Sequence, residues 1–122
     1  MIKIKRVYDK PESSDGARIL VDRLWPRGLS KETARIAYWA KDISPSPELR
    51  KWYRHDPEKW GEFRKRYHAE LDGNPEGITK LRAYTEKEDV TFVYSSKEQK
   101  INNAVALKEY METLDRQRRK KF

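Results

Sequence analysis

Three times in this sequence a short polar side chain, a proline and a glutamate follow one another: Ser46-Pro47-Glu48, Asp56-Pro57-Glu58 and Asn74-Pro75-Glu76. Each triplet reads as a helix start. The polar side chain accepts from an orphaned backbone amide, and proline fits the first helical position because its missing N–H costs nothing there. Glutamate then sits at the positive end of the helix dipole. Behind the second start, Trp60, Phe63, Tyr67 and Leu71 form an apolar helical stripe; behind the third, Ile78, Leu81 and Tyr84 do the same. A last helix is predicted from about Ile101 to Arg116, with Ala104, Leu107, Met111 and Leu114 facing inward.

Between these helices lie segments of strand character. Ile2 to Val7 alternates, with Ile2, Ile4 and Arg6 on one face. Arg18-Ile19-Leu20-Val21-Asp22-Arg23 is a continuous apolar run between charges, as expected of a strand buried on both faces. Asp89 to Tyr94 is a third strand, and Ile36 to Ile43 reads as another. Ser30 is placed to cap a short helix over Lys31-Glu32-Thr33. Strands separated by helices predict a three-layer α/β fold, a central and mostly parallel sheet flanked by helices. The length suits one domain over 1–122, with a basic C-terminal tail at 116–122.

With no cysteine, disulfides, thiol nucleophiles and zinc–thiolate sites are excluded. No apolar run is long enough to span a bilayer, and the N-terminal Met1-Ile2-Lys3-Ile4-Lys5-Arg6 lacks the apolar centre of a secretory signal. A cytoplasmic protein with no membrane partner is therefore expected. The net charge of +8 suits an anionic partner. Four Trp and seven Tyr supply the large apolar areas that a chain with 39% charged residues needs to fold.

Open parallel sheets bind ligands beyond the carboxyl ends of their strands. Three polar loops are predicted there: Tyr8 to Gly16, Asp22 to Gly28, and Ser95 to Gln99. In the second, Arg23 and Arg27 flank a buried strand end. Guanidiniums so placed grip carboxylate or phosphate bidentately, and Trp25 can stack on a planar ligand. Arg6, on the apolar face of its strand, needs an acidic partner or an anionic ligand, and Asp22 is the expected internal partner. In the third loop Ser95, Ser96 and Lys97, with Asn102 near a helix start, bring hydroxyls, amides and an ammonium together as an anion site does. Convergence of Arg6, Tyr8, Asp22, Arg23, Trp25, Arg27, Ser95, Ser96, Lys97 and Asn102 on one pocket is the site expected.

The ligand expected is small and anionic, nucleotide-like or a phosphorylated metabolite. Turnover would have to use Asp22, Asp9 or Lys97 as base, because the predicted site holds neither Cys nor His. No cofactor is expected, since Gly16, Gly28, Gly61, Gly73 and Gly77 have neither Walker nor Rossmann spacing. No metal is expected either: His55 and His68 have no metal-ligand spacing and read as solvated surface residues. The competing reading is a nucleic-acid-binding or partner-binding module without catalysis. Its charge would lie on Arg50, Lys51, Arg54, Lys59, Arg64, Lys65, Arg66 and the tail, or its apolar patch around Trp52 and Trp60.

At these residues the chain resembles the YeaO-like proteins, a bacterial and archaeal branch of the domain of unknown function 488. The resemblance is carried by Lys5-Arg6-Val7-Tyr8-Asp9, by the stretch from Ser14 through Val21-Asp22-Arg23-Leu24-Trp25-Pro26-Arg27-Gly28, and by Ser44-Pro45-Ser46-Pro47-Glu48-Leu49-Arg50. Phe63 with Tyr67, and Tyr94-Ser95-Ser96-Lys97 followed by Asn102-Asn103-Ala104, complete it. It covers all but the basic tail. The resemblance implies a compact α/β fold without an established activity. The wider family often carries a Cys-His-Arg cluster at the start of its last helix. Asn102-Asn103-Ala104 stands there in this chain, so thiol or histidine chemistry does not carry over.

Overall fold

A computed structural model describes residues 1–120 of the chain. Four strands, β1 (Ile2–Arg6), β2 (Ala17–Leu20), β3 (Ile36–Trp39) and β4 (Val90–Tyr94), form one sheet in the order β1-β4-β2-β3. Every pairing is parallel. Five helices accompany the sheet: α1 (Lys31–Ala34), α2 (Pro47–Tyr53), α3 (Trp60–Asp72), α4 (Pro75–Thr85) and α5 (Asn103–Lys120). The fold is the expected three-layer α/β arrangement.

All three polar–Pro–Glu triplets start helical structure. Ser46 Oγ accepts from Leu49 N at 3.1 Å, Asp56 Oδ1 from Glu58 N at 3.0 Å, and Asn74 Oδ1 from Gly77 N at 3.1 Å. The second begins as a 3-10 turn over Pro57–Lys59 before α3 opens at Trp60. Ser30 caps α1 through Thr33 N at 3.0 Å. The predicted strand from Ile36 to Ile43 is shorter than expected: β3 stops at Trp39, and Lys41–Ile43 winds into a 3-10 turn that buries Ile43. The last helix begins at Asn103 because Asn102 caps it, its Oδ1 accepting from Val105 N at 3.0 Å. It continues through Lys120, so the basic stretch from residue 116 is helical up to there, while Lys121 and Phe122 of the predicted tail lie outside the described residues.

Strand alternation sorts the sheet's side chains into two faces. Ile2, Ile19, Val21, Val90 and Phe92 pack against Phe63, Tyr67, Leu71, Leu81 and Leu107 of α3, α4 and α5 in the main core. Burying each of these side chains contributes about 1.5–3 kcal/mol. The opposite face is thinner. Val7, Leu20 and Val93 pack there with Ala34 and Ile36, under Trp25, Leu29 and Trp39.

That thin face also holds a buried ion cluster. Arg18, 2% exposed, pairs with Asp15 at 2.8 Å and donates to Ala34 O at 2.8 Å. Lys5 Nζ reaches Asp15 Oδ1 at 3.2 Å and Glu12 at 2.7 Å, and Thr91 Oγ1 donates to Asp15 O at 2.7 Å. Burial pushes the Asp15 carboxyl up, but the Glu12 amide, Arg18 and Lys5 outweigh it and hold the group below its ordinary value. The turn into β2 depends on Gly16, whose φ is +65°. A Cβ there would stand 2.0 Å from the Asp89 carbonyl oxygen. Among the described residues, no helix is long and apolar enough to cross a membrane.

Candidate functional site

A cleft of about 610 Å³ opens at the carboxyl ends of β2 and β4. Asp22, Arg23, Ser95 and Ser96 line it from the loops after those strands, and Asn102 and Asn103 from the start of α5. α2 and the turn before it supply Pro45, Pro47, Glu48, Arg50 and Lys51. Tyr53 and Phe63, both buried and stacked with ring centroids 4.2 Å apart, form an aromatic wall with His55 beside them.

The cleft's sheet side is held by Asp22. Pairing between the two strands continues through Val21 N to Val93 O at 3.1 Å, and Asp22 then turns its carboxylate across to the neighbouring loop. Oδ2 accepts from Ser95 N at 2.8 Å, and Oδ1 from Asn103 Nδ2 at 3.0 Å. The same Asn103 amide donates to Val21 O at 3.0 Å, and Trp39 Nε1 donates to Asp22 O at 2.8 Å. One side chain thus fastens the ends of β2 and β4 to α5. Asn102, 2% exposed, is equally committed: besides its cap it donates to Glu98 O at 2.8 Å.

Arg6 does not pair with Asp22 as expected. In the order β1-β4-β2 a whole strand stands between them. Arg6 instead donates from Nε to Ser96 O at 3.0 Å and from Nη2 to Ser95 O at 3.3 Å, bracing from behind the loop that Asp22 holds from the front.

Of the ten residues expected to converge, Asp22, Arg23, Ser95, Ser96 and Asn102 line the cleft, and the other five do not. Tyr8 is exposed and donates to Arg27 O at 3.0 Å, while the Arg27 side chain lies at the surface. Trp25 donates to Leu29 O at 2.6 Å and meets Trp39 edge-on at 5.4 Å, as a staple on the thin face. Lys97 and Asp9 are exposed and stand outside the lining.

Sequence reasoning did not bring α2 to this cleft and gave Arg50 and Lys51 only to the competing nucleic-acid reading. Glu48 closes the first helix-start triplet and Arg50 and Lys51 follow it, but nothing in their spacing says that this helix leans over the strand ends. His55, read as a solvated surface residue, is exposed yet lines the cleft. His68, read the same way, is half-buried, with Nε2 2.8 Å from Ala106 O. A carbonyl only accepts, so Nε2 carries the proton. Trp52 and Trp60 are half-buried and packed on the core, and cations overlie them where a bare apolar patch was considered.

The electrostatics of the lining are uneven. Arg23, Arg50 and Lys51 have no carboxylate within ion-pair distance among the described residues. Arg23 Nε is buried without a hydrogen-bond partner. Burial, with Glu98 and Asp56 nearby, pushes the Tyr53 phenol up to about 12, and burial likewise raises Tyr94 next to the cleft. Among the described residues no three His, Asp or Glu side chains converge to hold a metal ion.

Fold and site together describe an open parallel α/β domain with a cationic cleft at its strand ends. Residues 1–121 match the family described as the Inactive DUF488-N3 subclade, and the chain belongs to that family. Similar proteins include the Uncharacterized protein YeaO of Escherichia coli (strain K12), 42% identical over 113 residues, covering 93% of this chain and 98% of that protein. The Uncharacterized protein Rv3073c of Mycobacterium tuberculosis (strain ATCC 25618 / H37Rv) is 40% identical over 106 residues, 87% of this chain and 89% of its own. No solved structure matches the chain.

Proposed function

We propose that the cleft binds a small anionic ligand with a planar or apolar part, a nucleotide-like molecule, and does not turn it over. The observation that carries this reading is the trio Arg23, Arg50 and Lys51, three cations on one cleft without a carboxylate partner. A buried guanidinium N–H without an acceptor costs about 1–3 kcal/mol, and an anion arriving beside Arg23 Nε relieves that cost. The Tyr53–Phe63 wall suits the uncharged part of such a ligand.

The absence of turnover is argued from what each group is already doing. Both Asp22 oxygens accept hydrogen bonds that tie the strand ends to α5, so a base role for this carboxylate would compete with the bonds that hold the cleft together. Tyr53 and Tyr94 hold their phenol protons at neutral pH. His55 is the one imidazole of the lining, and among the described residues no hydrogen bond orients its ring. The description of the matching family as inactive agrees with this reading.

Thermal-shift titration with inorganic phosphate, nucleoside monophosphates, nucleosides and sugar phosphates tests it, on wild type and Arg23→Ala. A ligand at a hundredfold over its dissociation constant stabilises the protein by about 2.7 kcal/mol. That shift is expected in wild type and is expected to vanish in the folded Arg23→Ala protein. Equal shifts in both would mean that the cations are scaffolding. Chemical conversion of the bound ligand would refute the non-catalytic half.

A further inference from the structure

Resting on the cleft's reading as an anion site, we propose that the cleft is the head of a longer track and that its partner is single-stranded nucleic acid. One nucleotide sits in the cleft. The phosphates that follow run over the outer face of α2 and onto the start of α3.

Helix α2 carries the first part of the track. Arg50 and Lys51 line the cleft, and Arg54 follows one turn after Arg50; all three are exposed. None has a carboxylate at ion-pair distance among the described residues. The end of this helix is costly. Arg54 and His55 take φ values of +47° and +57°, the left-handed region where glycine is cheaper.

The track continues at Trp52. Lys59 Nζ lies 5.1 Å and Arg66 Cζ 4.1 Å from the centroid of that one ring. Both cations stand beside one side chain, so a phosphate reaching Trp52 meets two positive charges. Lys59 is bonded only to the Trp52 carbonyl at 2.8 Å, and the Arg66–Glu62 pair at 3.2 Å is solvent-exposed, so displacing it loses little.

The chemistry selects among polyanions. An acidic peptide would use the charges alone, whereas a nucleotide also brings a flat base to the Tyr53–Phe63 wall that lines the cleft. A duplex keeps its bases stacked inside and cannot seat one unit in a cleft between α2 and the strand ends.

Fluorescence anisotropy with 3′-labelled, 5′-phosphorylated oligothymidylates and oligouridylates of one, two, four and eight nucleotides tests this. The proteins are wild type, Arg23→Ala and the double variant Lys59→Ala/Arg66→Ala, with folding checked by circular dichroism. Affinity in wild type is expected to rise at least about tenfold from one to four nucleotides. Each single-strand phosphate contact contributes about 0.7 to the log–log salt slope, so the double variant is expected to lose about 1.4 from it while holding the mononucleotide as wild type does. Arg23→Ala is expected to weaken every length. A wild type that binds the mononucleotide with no gain on lengthening sinks the track and leaves the cleft reading standing. Oligonucleotide binding indifferent to Arg23→Ala, with no mononucleotide binding, overturns the cleft as its head. Equal competition by polyglutamate of the same length overturns the choice of nucleic acid.

Discussion

Replacing Asp22 by asparagine changes one oxygen to an NH₂ group, and the surroundings of Asp22 make that change costly. The carboxylate receives two donors, Ser95 N at 2.8 Å and Asn103 Nδ2 at 3.0 Å. An amide satisfies one of them and turns a donor toward the other. Asn103 cannot relieve the clash by flipping, because its Nδ2 also serves Val21 O and a flip would set two oxygens face to face. One part-buried donor is therefore left without an acceptor, worth about 1–3 kcal/mol, and the other loses the charge on its acceptor. About 2 kcal/mol is the expected loss, which for a domain of this size lowers Tm by several degrees. Urea denaturation is the direct assay: the midpoint should fall with the m-value unchanged. If Asp22→Asn is as stable as wild type within a few tenths of a kcal/mol, Asp22 is not a staple.

Gly16→Ala is expected to leave little folded protein, a loss of about 4 kcal/mol or more, because the new Cβ would stand 2.0 Å from the Asp89 carbonyl oxygen; near-normal solubility and Tm would contradict this. Asp15→Asn strands the Arg18 guanidinium, 2% exposed, and is expected to cost about 3–5 kcal/mol at neutral pH. Because Asp15 is held below the ordinary carboxyl value of 3.8, its stabilisation is complete above that value and is lost as pH falls through the lower folded value. The gap between wild type and variant in urea should therefore hold down to pH 3.8 and narrow only below it, and a gap that closes at higher pH would refute the assignment.

Local chemistry made most of the elements legible. A polar side chain before Pro-Glu says where a helix starts whatever surrounds it, and the Asn102 cap shows why the last helix begins at Asn103, two residues after the expected Ile101. The buried run at Ile19–Val21 announced a strand covered on both faces. What sequence could not convey was which strand lies beside which. Arg6 and Asp22 sit at the ends of strands adjacent in sequence, and pairing them was the natural inference. The insertion of β4 between them reverses it, a fact of global packing with no local signal. The site divides in the same way. Residues at strand ends, such as Arg23 and Ser95, were found because strand polarity predicts where ligands sit. Arg50, Lys51 and His55 were not placed there, because the tilt of α2 is set by packing: Tyr53 on Phe63, and Glu70 of α3 receiving Ser46 N at 2.9 Å.

The position of β4 also sets a schedule for the chain as it is made. One of the two interior strands, β4 is the last of the four to be synthesised, after roughly three-quarters of the chain. Until it arrives, β1 has no neighbour, and β2 can pair only with β3 on one side, leaving Ile19 and Leu20 beside an open backbone edge. Closing the sheet joins Ile2 to Val90, a long loop whose entropy must be lost before any contact rewards it. A nascent chain stalled before Val90 would present apolar side chains and unpaired amides together, the combination that invites aggregation or chaperone capture. Ribosome-bound fragments ending on either side of β4 should differ sharply in protease resistance, with protection appearing once that strand has left the exit tunnel.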